Sequence, residues 1–146
     1  MTYYNQIHLN QPLGRKLSLI AKDFLCLLNT KLSRIDLDRN YYALILIGKA
    51  NGEMTQQELA TKLESDKVSI VRIIDYLTEQ GYVTRINHKE DRRKYCLTLT
   101  TKAEIELIEI ENALIDVHKQ SYKGLTETEI CSFNKTLSII QKNLKH

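Results

Sequence analysis

Cysteines and histidines are the residues of this 146-residue chain best able to act as nucleophiles, bases or metal ligands, and it holds three and four of them. Cys26, Cys96 and Cys131 form no Cys-x-x-Cys pair, and His8, His88, His118 and His146 are scattered. That spacing supports no metal site, no disulfide framework and no nucleophile–base–orienter constellation. The expectation is therefore no metal, no cofactor and no enzyme, with most of the cysteines serving as small apolar residues. Charge is more informative. The chain carries a net charge of only +3, yet Arg85, Lys89, Arg92, Arg93 and Lys94 crowd residues 84–94 against Glu90 and Asp91 alone. A local cation cluster of this kind is chemistry for holding anions, nucleic-acid phosphates among them.

The cluster needs an element to present it. "YVTRIN" and "KYCLTLT" read as two strands, with alternating faces of Tyr82, Thr84, Ile86 and of Tyr95, Leu97, Leu99, and "HKEDRR" is the tip between them. Immediately before, "DKVSIVRIIDYLTEQG" places Ile70, Ile73, Ile74 and Leu77 on one helical stripe. Val68, Val71, Arg72 and Asp75 fall on the opposite face with Lys67 beside them. Two outward valines beside cationic side chains suit a DNA major groove, where methyl groups meet thymine and Arg or Lys reaches guanine. They equally suit packing under a neighbouring element. Ser65-Asp66 starts this helix and Gly81 ends it. "TQQELATKL" precedes it, opened by a Thr55–Glu58 capping box. Short helix, tight turn, helix and hairpin make a winged helix-turn-helix, whose wing is the basic tip.

Flanking helices complete the chain. After Pro12, the positions Leu13, Leu17, Ile20, Phe24 and Leu28 predict a helix to about Arg34. Asp38 is a good N-cap for a second helix carrying Tyr42, Ile45 and Leu46 and ending near Asn51-Gly52. Ala103, Leu107, Ile110, Leu114 and Val117 predict a long helix closed by Gly124, and Thr126–Glu129 caps another with Ile130, Phe133, Leu137, Ile140 and Leu144 in register. These seams need more partners than one small core offers, which favours a dimer over packing within the chain.

The fold class expected is mainly α with a small β-hairpin wing. Residues 1–36 would form an N-terminal dimerisation helix, 37–100 the winged helix-turn-helix, and 101–146 the C-terminal dimerisation helices. Composition, at 42% hydrophobic and 27% charged, fits a folded globular chain. No apolar run approaches bilayer length and "MTYYNQIHLNQPLGRK" lacks a signal-peptide core, so a cytoplasmic protein with no membrane contact is expected.

In element order, and most specifically in "TQQELATKL", "DKVSIVRIIDYLTEQGYVTR" and "EDRRKYCLTLT", residues 13–144 resemble the MarR family of bacterial transcriptional regulators. The family's wing signature, Asp-x-Arg before a strand ending Leu-Thr, stands as Asp91-Arg92-Arg93 and Leu99-Thr100. The chain departs from the pattern at Ala103, where a glycine is usual, and at Leu37-Asp38-Arg39-Asn40-Tyr41, where Leu-Thr-x-x-Gln often opens the second helix.

The resemblance implies a homodimer on a pseudo-palindromic double-stranded operator, with half-sites about 34–36 Å apart. Arg93 would enter the minor groove, oriented by Asp91, with Lys89 and Arg92 on the same tip. Lys67, Val68, Ser69, Val71 and Arg72 would work in the major groove, and Thr55 and Gln56 would hold phosphate. The dimer would be built from Leu13, Leu17, Ile20, Leu114, Val117, Ile130, Phe133, Leu137, Ile140 and Leu144. A small aromatic or amphipathic ligand, with Tyr41 near its cleft, would relieve repression. Cys26, set in apolar "FLCLLN", is not expected to act as an oxidant sensor, because such a setting suppresses the reactive thiolate. The competing readings are a winged helix used only for protein contacts, a cysteine-based redox-sensing regulator, and an enzyme using Cys96 or His88.

Overall fold

A computed structural model describes residues 10–35, 37 and 39–145. The chain runs α1 (Leu13–Lys31), α2 (Tyr41–Lys49), β1 (Met54–Thr55), α3 (Gln56–Lys62), α4 (Lys67–Glu79), β2 (Val83–Asn87), β3 (Tyr95–Leu99), α5 (Thr101–Ser121) and α6 (Glu127–Leu144). It is mainly helical, with one small antiparallel sheet in the order β1-β3-β2. Among the described residues, six helices around a three-stranded sheet, with a helix-turn-helix running into a hairpin, form a winged helix.

Local chemistry sets most boundaries. Pro12 stands at the N-cap of α1, where its missing N–H is no loss. The helix stops at Lys31 rather than near Arg34, because Leu32 leaves helical geometry and turns its side chain into the core. Asn40 occupies the N-cap of α2 without a side-chain bond; the expected cap, Asp38, lies outside the described residues. Of the expected apolar face of α2, Ile45 is buried, Leu46 is half-buried, and Tyr42 is exposed, while Ala43, Leu44 and Ile47 are buried instead. A helix of nearly continuous apolar residues gives no phase from which to choose a face. Both capping boxes form as read, Thr55 with Glu58 and Thr126 with Glu129.

β1 is absent from the sequence reading. Two residues give no alternation, yet Met54 pairs with Leu97 and Thr55 with Cys96, which makes β3 the central strand. The hairpin pairs Val83 with Leu99, Arg85 with Leu97 and Asn87 with Tyr95. Tyr82, expected on one strand face with Thr84 and Ile86, instead precedes β2 and is buried with Val83, whereas Thr84 and Ile86 are exposed within the strand. Cys96 and Leu97 are also both buried; successive strand residues point to opposite faces, so β3 is covered on both.

The core joins Leu44 and Ile47 of α2, Leu59 of α3, Ile70, Ile74 and Leu77 of α4, Leu97 of β3 and Ile110 of α5. Gly48 lets α2 approach α5 closely: a Cβ there would lie 2.8 Å from Leu107 Cδ2 and 3.1 Å from Leu99 Cδ1. α1 runs along α5, with Leu28 in the core, Phe24 against the His118 ring at 5.3 Å, and Lys31 Nζ 3.8 Å from Asp116. Val117 has no exposed surface and is a core residue of its own chain, not an interface residue as expected; a seam residue reads the same whichever partner covers it. Leu114 is half-buried against the same core. α6 buries none of its residues, leaving Phe133 and Leu144 exposed and Ile130, Leu137 and Ile140 half-exposed. Leu13 and Ile20 of α1 are exposed and Leu17 half-exposed.

Candidate nucleic-acid interface

Asp66 starts the recognition helix α4. One of its carboxylate oxygens accepts from the amides of Val68 and Ser69 at 2.9 and 2.8 Å, and the other from the Ser69 hydroxyl at 2.7 Å. The Ser69 hydroxyl and these amides hold the Asp66 carboxyl below the usual carboxylate range. The Ser69 proton is thereby committed to the cap, and its oxygen is what remains for an outside donor. Past this cap Lys67 and Arg72 are exposed and Val68 is 62% exposed, so all three face outward. Val71 does not. It is half-buried against the core, which corrects its expected outward placement.

Thr55 is corrected as well. Its hydroxyl donates to Glu58 Oε2 at 2.9 Å and accepts from the Glu58 amide at 3.2 Å, so the capping box uses it and leaves no donor for phosphate. The backbone N–H of Thr55, with its hydroxyl, holds the Glu58 carboxyl below its usual range, fixing an anion at this helix start. Gln56 stands beside it, half-exposed.

The wing tip is a built turn. Asp91 Oδ1 accepts from the Arg93 backbone N–H at 3.0 Å and from Arg93 Nε at 3.3 Å, and these bonds keep the Asp91 carboxyl below its usual range. The Arg93 side chain is 91% exposed, so Asp91 aims the guanidinium into solvent without sequestering it. Lys89 and Arg92 are exposed on the same tip. His88, scattered by sequence, anchors the turn: its Nδ1 accepts from the amides of Glu90 and Asp91, both at 3.2 Å. Arg85, counted with the basic cluster, instead pairs with Asp75 of α4.

Elsewhere, Tyr41 is half-buried and its desolvated phenol is pushed up. Cys96 is buried, whereas Cys26 and Cys131 are exposed. The expected apolar setting of Cys26 is therefore wrong, because the apolar residues next to it in sequence point to other faces of α1. It lines an open surface groove of about 540 Å³ with Lys22, Leu25, Asn29, Thr30 and Arg39. Among the described residues no group of three His, Cys, Asp or Glu could hold a metal ion, and no helix is long and apolar enough to cross a membrane.

An exposed face of α4 and an oriented arginine on the wing are the site that this winged helix presents. Residues 35–94 match the model of the MarR family. Among solved structures, a cysteine-to-serine variant of MarR from E. coli complexed with operator DNA is 26% identical, with a TM-score of 0.79 over 92% of this chain and 96% of that one. A MarR-family regulator from Listeria monocytogenes, complexed with a 26mer DNA, is 22% identical with a TM-score of 0.79, over 90% of this chain and 88% of that one. The transcriptional regulator SlyA is 22% identical with a TM-score of 0.81, over 90% and 93%. The latter two likenesses speak for the fold. The family match over residues 35–94 and the shared fold support a MarR-family winged-helix transcriptional regulator.

Proposed function

We propose that this protein is a homodimeric repressor that binds a pseudo-palindromic operator and releases it on binding a small aromatic or amphipathic ligand. The observation that carries the reading is the pairing of Lys67, Val68 and Arg72 on an outward helix face with a fully presented Arg93 on the adjoining wing. The first set suits a major groove and the second a minor groove. Operator DNA in the complex of the E. coli relative supports the same partner here. The uncovered apolar stripes of α1 and α6 support a second copy as the element that buries them. Heparin retention followed by a gel shift on the protein's own upstream DNA tests the reading. A folded protein that binds neither refutes it and favours a protein-contact module.

The open groove beside Cys26, with Lys22 and Arg39 on its lining, offers the volume for a small ligand and suits an amphipathic anion. The exposure of Cys26 there also supports oxidation as a second reading. Titrating DNA release with peroxide separates them. Release by the wild type at low micromolar peroxide, absent in a cysteine-free variant, selects oxidation.

A further inference from the structure

Lys102 is the second residue of α5, yet its ammonium serves another helix. Nζ donates to the carbonyl of Gln80, the C-cap residue of α4, at 2.9 Å. Carbonyls at a helix C-terminus lack intrahelical partners and carry the negative end of the helix dipole, so a cation there is doubly favoured. The same ammonium lies 4.3 Å from the centroid of the Tyr82 ring, and Tyr82 is only 3% exposed, so the ring is a fixed platform. Thr100 closes the joint from the other side. Its amide donates to Tyr82 O at 3.0 Å and its hydroxyl to Gly81 O at 2.7 Å, while the hydroxyl also accepts from the Ala103 amide at 3.2 Å to cap α5. The end of the recognition helix and the start of the long helix leading away from the winged helix are thus interlocked across Gln80–Tyr82.

Leverage gives this joint a consequence. Lys67 and Val68 lie at the N-terminal end of α4, a helix of 13 residues, so the joint sits about 20 Å from that end and about 12 Å from Arg72. A tilt of about 10° at the joint would carry that end about 3.4 Å, one base-pair step. We propose that Lys102 is a positioning residue that fixes α4 against α5 and so sets the half-site spacing the dimer accepts. This rests on the reading of the protein as an operator-binding dimer. Thr100 cannot be tested alone, because its loss uncaps α5. Lys102 can, because it is exposed and its stem is retained in methionine.

The test uses the full-length protein and the operator recovered from its own upstream DNA, with the spacer between half-sites lengthened or shortened by one base pair. Wild type should prefer the native spacer. Lys102→Met should remain dimeric, with its melting temperature and non-specific DNA affinity little changed, while that preference falls by about tenfold. Lys102→Arg should restore it. Lys102→Gln, which keeps a donor without the charge, is the second variant and should lose most of the preference. A wild type indifferent to spacing, or a Met variant with undiminished preference, overturns the assignment. A wild type that binds no operator overturns the DNA-binding reading and the assignment with it.

Discussion

Arg85 Nη2 stands 2.7 Å from Asp75 Oδ1, joining the first wing strand to the recognition helix. The pair is half-exposed, so solvent screens it and limits its contribution. Its importance is geometric, because it ties the first wing strand directly to α4. A double-mutant cycle of Asp75→Asn and Arg85→Gln should give a coupling of about 0.2–1 kcal/mol in urea unfolding. Additive single effects would show that the pair holds nothing together.

Arg93→Ala and Arg72→Ala should fail in different ways. Arg93 lies 91% exposed on the wing, so its loss should leave unfolding unchanged and weaken binding across sequences by about 1–3 kcal/mol. Loss of Arg72, if it reads a base edge, should relax discrimination at one position in each half-site. A site selection returning the wild-type motif from Arg72→Ala would show that Arg72 reads no base.

What sequence made legible was mostly local. Both capping boxes, the Asp66 cap and the Ile70–Ile74–Leu77 stripe depend on residues two to seven apart, where backbone geometry alone decides who meets, while the Asp91–Arg93 pair is expected only from the family resemblance. Asp75–Arg85 spans two elements, and Lys102–Gln80 closes a loop of 22 residues, so their meeting depends on packing that no window reveals. β1 is two residues long and exists only because β3 is beside it. Val71 and Val117 misled for a shared reason: periodicity says which residues share a face, but not what covers that face.

Gly48 tests the closeness of α2 and α5. An alanine there would displace two leucine methyl groups, which can rotate, and it would gain helix propensity, so Gly48→Ala should change stability by less than about 1 kcal/mol. A β-branched side chain has nowhere to turn. Gly48→Val should cost about 1–3 kcal/mol by overpacking against Leu107 and Leu99. Equal melting temperatures for the valine variant and the wild type would mean the two helices can part.

Leu137 lies on a stripe of α6 that its own chain leaves partly open. Leu137→Asp puts a charge where a second copy would have to bury it unpaired, a penalty of about 3–5 kcal/mol if the site is fully covered. The expected result is a monomer by light scattering at low micromolar concentration, with helical content retained. A variant that stays dimeric moves the interface off this stripe.

Acid should loosen the caps before it reaches the core. Amides and hydroxyls lower the folded-state pKa of four carboxyls: Thr55 on Glu58, Ser69 on Asp66, Arg93 on Asp91 and Thr126 on Glu129. Each folded pKa lies below its unfolded value, so in the window between them the unfolded chain binds more protons and stability rises with pH. Their contribution is complete above the usual carboxylate range, hence at neutral pH, and is lost as pH falls through the depressed folded values. Asp66→Asn isolates one of them, since asparagine caps a helix without titrating in this range. Urea unfolding of both proteins from neutral pH into the acid range should show wild type losing stability more steeply, with the gap between them closing as Asp66 becomes protonated. A gap that stays constant at every pH would mean that the Asp66 carboxylate is not what holds the start of the recognition helix.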